Sequence, residues 1–214
     1  MIGLDKRPIP PVLATNAVRW TAEYAALLAG DTTVPEAARR RYAHQEVRAE
    51  LRIETRGKCA YCESRIEHVA FAHIEHILPK ATCPELVCTW VNLTLACGRC
   101  NTAKGEYYSQ DCPLLNPYED DVNEHLLFAG PLVMHQTVDR GMVTVFRLQL
   151  NRAELMARRK EAIEAAQRIL DLLRQAPPGP ATDALEASLD ELIDGAGEFS
   201  ASTRAYVQAA RADQ

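Results

Sequence analysis

The chain has 214 residues, a hydrophobic fraction of 47% and a formal net charge of −5, with a sequence pI of about 5.7. It can bury a core, and wholesale disorder and a membrane-spanning helix are both excluded, the latter because no run of about 20 apolar residues exists. The acidic balance argues against a stand-alone binder of polyanions, unless a local basic face or a helper subunit supplies the missing cations.

Met1 to Pro11 is Pro-rich and reads as extended, and Met1 to Val12 has no apolar stretch of signal-peptide length, so a soluble cytoplasmic protein is expected. Val12 to Ala29 has helical spacing and stops at Gly30-Asp31. Thr33 to Arg56 predicts a second helix, with Pro35 in its first turn. It carries Arg39, Arg40, Arg41, Arg48, Arg52 and Arg56 among Glu36, Glu46, Glu50 and Glu54. That pattern fits a solvated face laced with i,i+4 pairs; the triple Arg also fits a nucleic-acid backbone contact.

Gly57-Lys58 ends that helix. Val69 to Leu78 is rich in β-formers, is stopped by Pro79 and predicts a strand. Ala81 to Thr89 is a loop or single helical turn, Leu93 to Ala96 a second strand, and Gly98 to Tyr108 a helix. Cys112 to Asp121 is turn-like. Leu126 to Met134 and Met142 to Leu150 read as two strands around a turn at Asp139-Arg140-Gly141, the second alternating well. Asn151 opens a helix to about Gln175, with Glu154 placed as in a capping box. Pro177-Pro178-Gly179-Pro180 breaks it. Two amphipathic helices follow, Thr182 to Ile193 and Glu198 to Ala212. The class is α+β, mainly helical, in three parts: 1–56 helical, 57–110 a small core, and 111–214 a β-hairpin with a helical extension.

Seven cysteines are present. Cys59 with Cys62, and Cys97 with Cys100, form two Cys-x-x-Cys pairs, whose short gaps let a tight turn aim both sulfurs at one ion. In a reducing compartment such pairs favour metal over disulfide. Four thiolates satisfy tetrahedral Zn²⁺ and leave no open position, so this metal would be structural. The 34 residues between the pairs exceed those of a plain zinc ribbon and can hold a second site. A redox pair would leave the second Cys-x-x-Cys unexplained. Cys83, Cys88 and Cys112 read as ordinary thiols.

Between and beside the pairs stand Glu75, His76, Asn92 and Asn101, in the runs H-I-E-H-I-L-P-K and C-G-R-C-N-T-A-K. With the Cys pairs outside them, these residues resemble an HNH endonuclease of the ββα-metal class, over about Cys59 to Lys104. Phosphodiester hydrolysis needs an activated water, neutralised phosphate charge and a stabilised leaving oxygen. Mg²⁺ prefers hard oxygen ligands and keeps several waters, so a carboxylate and an amide oxygen, from Glu75 and Asn101, suffice. Glu75 and His76 are neighbours on a strand and point to opposite faces. His76, of ordinarily near-neutral pKa, suits a general base. Lys104, one helical turn after Asn101, would face the same side and touch phosphate, or simply be solvated. His73 shares the Glu75 face, as a further metal ligand, a phosphate contact or a packing residue. His44, His68, His125 and His135 have no evident partner.

The resemblance implies that Asn92 holds the His76 segment across the loop, and that hydrolysis leaves 5′-phosphate and 3′-hydroxyl ends. Many family members carry Asp or a second His where this chain has Glu75, which leaves the catalytic cation open between Mg²⁺ and Mn²⁺. The flanking runs C-A-Y-C-E, L-L-N-P-Y-E-D-D and R-G-M-V-T-V-F-R-L-Q-L-N-R resemble the HNH proteins encoded beside ABC-type ATPases in bacterial Septu-type and retron-associated defence systems. That implies DNA as substrate and an ATPase partner, with the C-terminal helices either docking it or packing on the core. The competing readings are a non-catalytic zinc-finger module that binds nucleic acid or protein, and an HNH nuclease that cleaves RNA.

Overall fold

A computed structural model describes residues 1–30, 33–66 and 72–212. Helix α1 spans Pro11–Ala29, with Pro11 at its first position, where a missing N–H costs nothing. The Arg-rich segment is not one helix. Four residues, Glu36–Arg39, form α2 after Pro35; a 3₁₀ turn covers Arg41–Ala43; and α3 runs over Gln45–Glu54. His44 makes the break: its backbone is extended and its Nδ1 accepts the Glu46 N–H at 3.3 Å, capping α3. Arg40 pairs with Glu36 and Arg41 with Glu23. Arg56 and Gly57 both adopt positive φ and swing the chain from α3 into the first Cys pair.

Strand β1 covers His73–His76, and the portion of its predicted range before Ala72 lies outside the described residues, as does His68. It pairs antiparallel with β2, Leu93–Ala96, in the register His73↔Ala96 to His76↔Leu93. Helix α4, Gly98–Lys104, follows at once and is shorter than predicted: the Gly105 backbone, at φ 55°, ends it. Every residue of β2 is buried, which places it at the centre of the main hydrophobic core, with Leu51 of α3, Trp90, Leu115 and Leu155.

The predicted hairpin exists but lies elsewhere. Leu126–Ala129 forms β3 and Leu132–His135 forms β4, turning at Gly130-Pro131. Val122–His125 is a single helical turn, α5, just before it. The segment expected as the second strand is instead helix α6, Arg140–Arg147. Gly141, Thr144 and Val145 are its buried residues and Leu148, its C-cap, is buried too, an i, i+3, i+4, i+7 set, so a sequence that alternates also satisfies the helical period. Gly141 lets α6 approach closely, since a Cβ there would lie 2.6 Å from the His125 carbonyl oxygen.

The capping box at Asn151 does not form. Helix α7 spans Ala153–Leu173 with Arg152 at its N-cap and no side-chain cap. The Asn151 amide is used across the hairpin, accepting from Val133 N–H and donating to Val133 O, both at 2.8 Å. Glu154 pairs with Arg99 at 2.9 Å. Pro180–Ile193 is α8 and Ser200–Ala212 is α9; with α7 they close a small second core of Ala166, Leu170, Leu189 and Val207.

The N-terminal arm is fastened across β2 by a buried polar network. Lys6 Nζ donates to Leu93 O at 2.6 Å and to Glu54 Oε2 at 3.1 Å, and lies 4.0 Å from the Trp90 ring centroid. Glu54 also accepts from Arg7 N–H and from the Tyr118 hydroxyl, at 2.8 and 3.0 Å. Glu54→Ala strands these donors and is expected to cost roughly 3 kcal/mol. The check is a urea titration, in which the midpoint falls at unchanged slope; an unmoved midpoint would show that Glu54 does not hold the arm.

Candidate functional site

Two turns deliver the four sulfurs. Cys59 to Cys62 sits in a bend that the left-handed Glu63 backbone closes, docked on β2 by a 2.9 Å bond from Ala60 N–H to Leu95 O. Cys97 is the N-cap of α4, its Sγ accepting from Cys100 N–H at 3.4 Å, and Cys100 lies in the helix's first turn. The four Sγ atoms lie within 4.8 Å of one another, and all the cysteines are free thiols. Tetrahedral Zn²⁺ bonded at about 2.3 Å requires sulfurs about 3.8 Å apart. Cys62 and Cys97 Sγ are 3.9 Å apart, so the cluster fits the ion as it stands. Hydrogen bonding from neighbouring thiols, that of Cys100 foremost, holds Cys97 down at about 7 and Cys62 well below its ordinary value. The Arg152 guanidinium stands 3.8 Å from Cys100 Sγ and 4.0 Å from Cys62 Sγ, where its charge offsets that of thiolates. Of the remaining thiols, Cys83 and Cys88 are buried and Cys112 is half-buried.

Strand β1 sends Glu75 and His76 to opposite faces. The Glu75 face looks onto α4. Its carboxylate accepts from Lys104 Nζ at 2.7 Å, and the same ammonium donates to the His76 carbonyl at 2.8 Å. Lys104 is 1% exposed, so the ammonium expected at a phosphate points inward and is committed to Glu75. Burial pushes the Glu75 carboxyl up, opposed by the charges of Lys104 and Lys80. His73, on the same face but exposed, receives a 3.1 Å bond at Nδ1 from the Asn101 amide. The structure therefore joins Glu75 to Lys104 and His73 to Asn101; no bond joins Glu75 directly to Asn101 among the described residues. An imidazole, a carboxylate and an amide oxygen are donor types that a divalent cation retaining waters accepts, and the Glu75 carboxylate among them is already held by Lys104.

His76 turns the other way, into the loop 77–92. Its Nε2 lies 3.0 Å from Val87 O. A carbonyl can only accept, so Nε2 carries the proton and Nδ1 keeps the lone pair in the neutral ring. The Tyr42 ring meets the imidazole edge-on, centroids 4.4 Å apart. The residue is 5% exposed, and burial, reinforced by Lys80 and Lys104, pushes its pKa down to about 4, which keeps the ring neutral at pH 7. Asn92 ties the loop's two ends together. Its Oδ1 accepts from Leu78 N–H at 2.8 Å, and its Nδ2 donates to Leu78 O at 3.0 Å and to Leu86 O at 3.4 Å. Leu86 directly precedes Val87, so these bonds also locate the carbonyl that orients His76. Sequence reasoning missed Val87, whose contribution is a backbone oxygen without any side-chain signature, and Tyr42, which lies outside the motif.

A short hairpin followed by a helix, with four cysteines converging at its ends and a carboxylate–histidine step on its first strand, has the arrangement of a zinc-binding ββα core. Residues 59–106 match the HNH endonuclease family. Two relatives carry the name Septu protein PtuB. The one from Bacillus thuringiensis is 33% identical over 121 residues, covering 54% of this chain and 47% of that protein. The one from Bacillus mycoides (strain KBAB4) is 32% identical over 161 residues, covering 60% of this chain and 54% of that protein. The chain thus spans about half the length of the curated relatives it matches. No helix among the described residues is long and apolar enough to cross a membrane.

The cysteine geometry predicts one zinc per chain by elemental analysis. Cys100→Ala or a strong chelator should remove it and lower the thermal midpoint, because metal binding free energy is folding free energy in such sites. A chain that carries no zinc, or that unfolds identically after chelation, would contradict the staple.

Proposed function

We propose that the chain is a metal-dependent HNH endonuclease that hydrolyses DNA phosphodiester bonds, acting in the cytoplasm as the nuclease of a bacterial anti-phage system with an ABC-type ATPase partner. The partner and the setting rest on the likeness to the two Septu proteins and on the flanking sequence runs. The segments 1–56 and 111–214 then serve as parts built around the 57–110 core.

One observation carries the chemistry: His76 Nε2 is fixed on Val87 O, 3.0 Å away, so that the other ring nitrogen is free to take a proton. In the proposed reaction a water attacks phosphorus while His76 Nδ1 accepts its proton. The new oxygen–phosphorus bond forms as the bond from phosphorus to the 3′ oxygen breaks, leaving a 5′-phosphate; the departing oxygen becomes a 3′-hydroxyl with a proton from solvent. Asn92 and Tyr42 keep the ring in place, which lowers the reorganisation needed when the proton moves. When bound at Glu75 and Asn101, with His73 beside them, Mg²⁺ or Mn²⁺ supplies neutralising charge to the phosphate and the leaving oxygen. Lys104 opposes the effect of burial on the Glu75 carboxyl and holds it in a fixed position.

The test is cleavage of plasmid DNA with Mg²⁺, alone and with the ATPase partner. His76→Ala is expected to lower the rate by about 10³-fold, in the range of a lost general base, while zinc content stays at the parent's value and the chain still unfolds cooperatively, at a somewhat lower midpoint because Val87 O loses its partner. Cleavage by His76→Ala at the parent's rate would remove His76 from the mechanism. Digestion of total RNA with plasmid left intact would move the substrate from DNA to RNA. A parent that binds nucleic acid and cleaves neither would be a zinc-finger binding module.

A further inference from the structure

Lys80 closes the run H-I-L-P-K, and the mechanism above gives it no task. Its ammonium lies 3.1 Å from the Tyr42 hydroxyl and 4.9 Å from the centroid of the Tyr42 ring. The same ring packs edge-on against His76. Unlike Lys104 and Lys58, whose ammonium groups are buried against Glu75 and Glu63, Lys80 is half-buried and has no carboxylate partner among the described residues. Its positive charge nevertheless reaches both Glu75 and His76, the two residues on opposite faces of β1. A cation held by an aromatic hydroxyl, in no direct ion pair with an acid among the described residues and beside the His76 ring's own brace, is poised for an arriving anion.

We infer that Lys80 is a catalytic residue that binds a non-bridging oxygen of the scissile phosphate, and that Tyr42, contributed from the 3₁₀ turn outside the matched HNH segment, is the positioning residue that aims it. The inference rests on the nuclease reading above. The division of labour follows from the contacts. The Tyr42 ring braces the general base, and its hydroxyl holds the ammonium, so one side chain sets the spacing between base and phosphate. The pairing also gives a physical reason for the helix break at His44, which releases Tyr42 from a continuous helix and lets it sit in a turn against the loop.

The experiment uses the full chain, a short fluorescein-labelled DNA duplex, and Lys80→Met, Lys80→Arg, Tyr42→Phe and the double variant Lys80→Met with Tyr42→Phe. Without added magnesium, the slope of log affinity against log salt should flatten by about 0.9 in Lys80→Met, the loss of one phosphate contact, and Lys80→Arg should restore it. With magnesium, kcat/KM should fall about 10-fold or more in Lys80→Met and by less in Tyr42→Phe, and the double variant should cost no more than Lys80→Met alone, because both act through one contact. Zinc content and thermal midpoint guard against misfolding. If the parent cleaves while Lys80→Met keeps the parent's slope and kcat/KM, the inference is overturned and the nuclease reading stands. If Lys80→Arg fails like Lys80→Met, with zinc lost or the midpoint lowered, Lys80 is structural and the inference is likewise overturned. If the parent neither binds nor cleaves DNA or RNA, the nuclease reading fails and this inference falls with it.

Discussion

Everything in the site depends on four sulfurs being brought to one point. The unit they enclose has two four-residue strands and a seven-residue helix. A two-stranded ribbon of that size is marginal in water, and a helix of two turns does not form on its own. The sulfurs come from the entry of the unit and from the start of its helix, so an ion bound by all four converts a floppy hairpin into a closed frame. Arg152 extends the constraint outward: its guanidinium faces two of the sulfurs while its backbone carbonyl begins the hydrogen bonding of α7.

Outside the staple, the chain repeats one electrostatic device. Among the described residues, each deeply buried carboxylate has a cation beside it: Glu54 with the half-buried Lys6, Glu63 with Lys58, Glu75 with Lys104. Desolvation makes an unpaired charge in such positions costly, and a pair with further hydrogen bonds bearable. Lys58 shows the pattern, donating to Gly195 O at 2.6 Å and Gly197 O at 2.9 Å as well as to Glu63. These pairs tie the N-terminal arm and the turn before α9 to the hairpin and its flanking Cys bend. The acidic total is therefore a poor guide to the site. These pairs neutralise charge locally, so the net charge does not tell which cations face the site.

The sequence was most legible where chemistry restricts residue type. Cysteine spacing located the four-cysteine cluster, and Leu93 to Ala96 came out as a strand with no adjustment because a short, mostly apolar run with a β-branched Thr94, between Asn92 and Cys97, has few other uses. It was least legible where two periods coincide. Met142 to Leu150 alternates, yet its small and apolar residues also fall on one helical stripe, and the close approach permitted by Gly141 decides for the helix. The Arg and Glu pattern from Thr33 to Arg56 runs unbroken through His44, so the helix break there is invisible until the side chain is seen capping α3. Asn151 has a capping sequence, but tertiary bonds to Val133 claimed its amide first.

The orientation of His76 follows from the same hierarchy. A neutral imidazole has one donor and one acceptor nitrogen, and only the surroundings choose between them. Here the choice is made by a backbone carbonyl at Val87, which lies directly after the Leu86 carbonyl bound by Asn92. The asparagine of the motif thus acts at a distance: it closes a loop of fifteen residues, from Leu78 to Asn92, and in doing so fixes the oxygen that selects the tautomer. Burial then lowers the ring's affinity for a resting proton without removing its lone pair. Under the proposed mechanism such a base is ready at neutral pH but weak in itself, so its effectiveness would come from being held in place and from the cations set around the phosphate. That is why the loop, the aromatic ring beside it and the frame beneath it matter as much as the histidine.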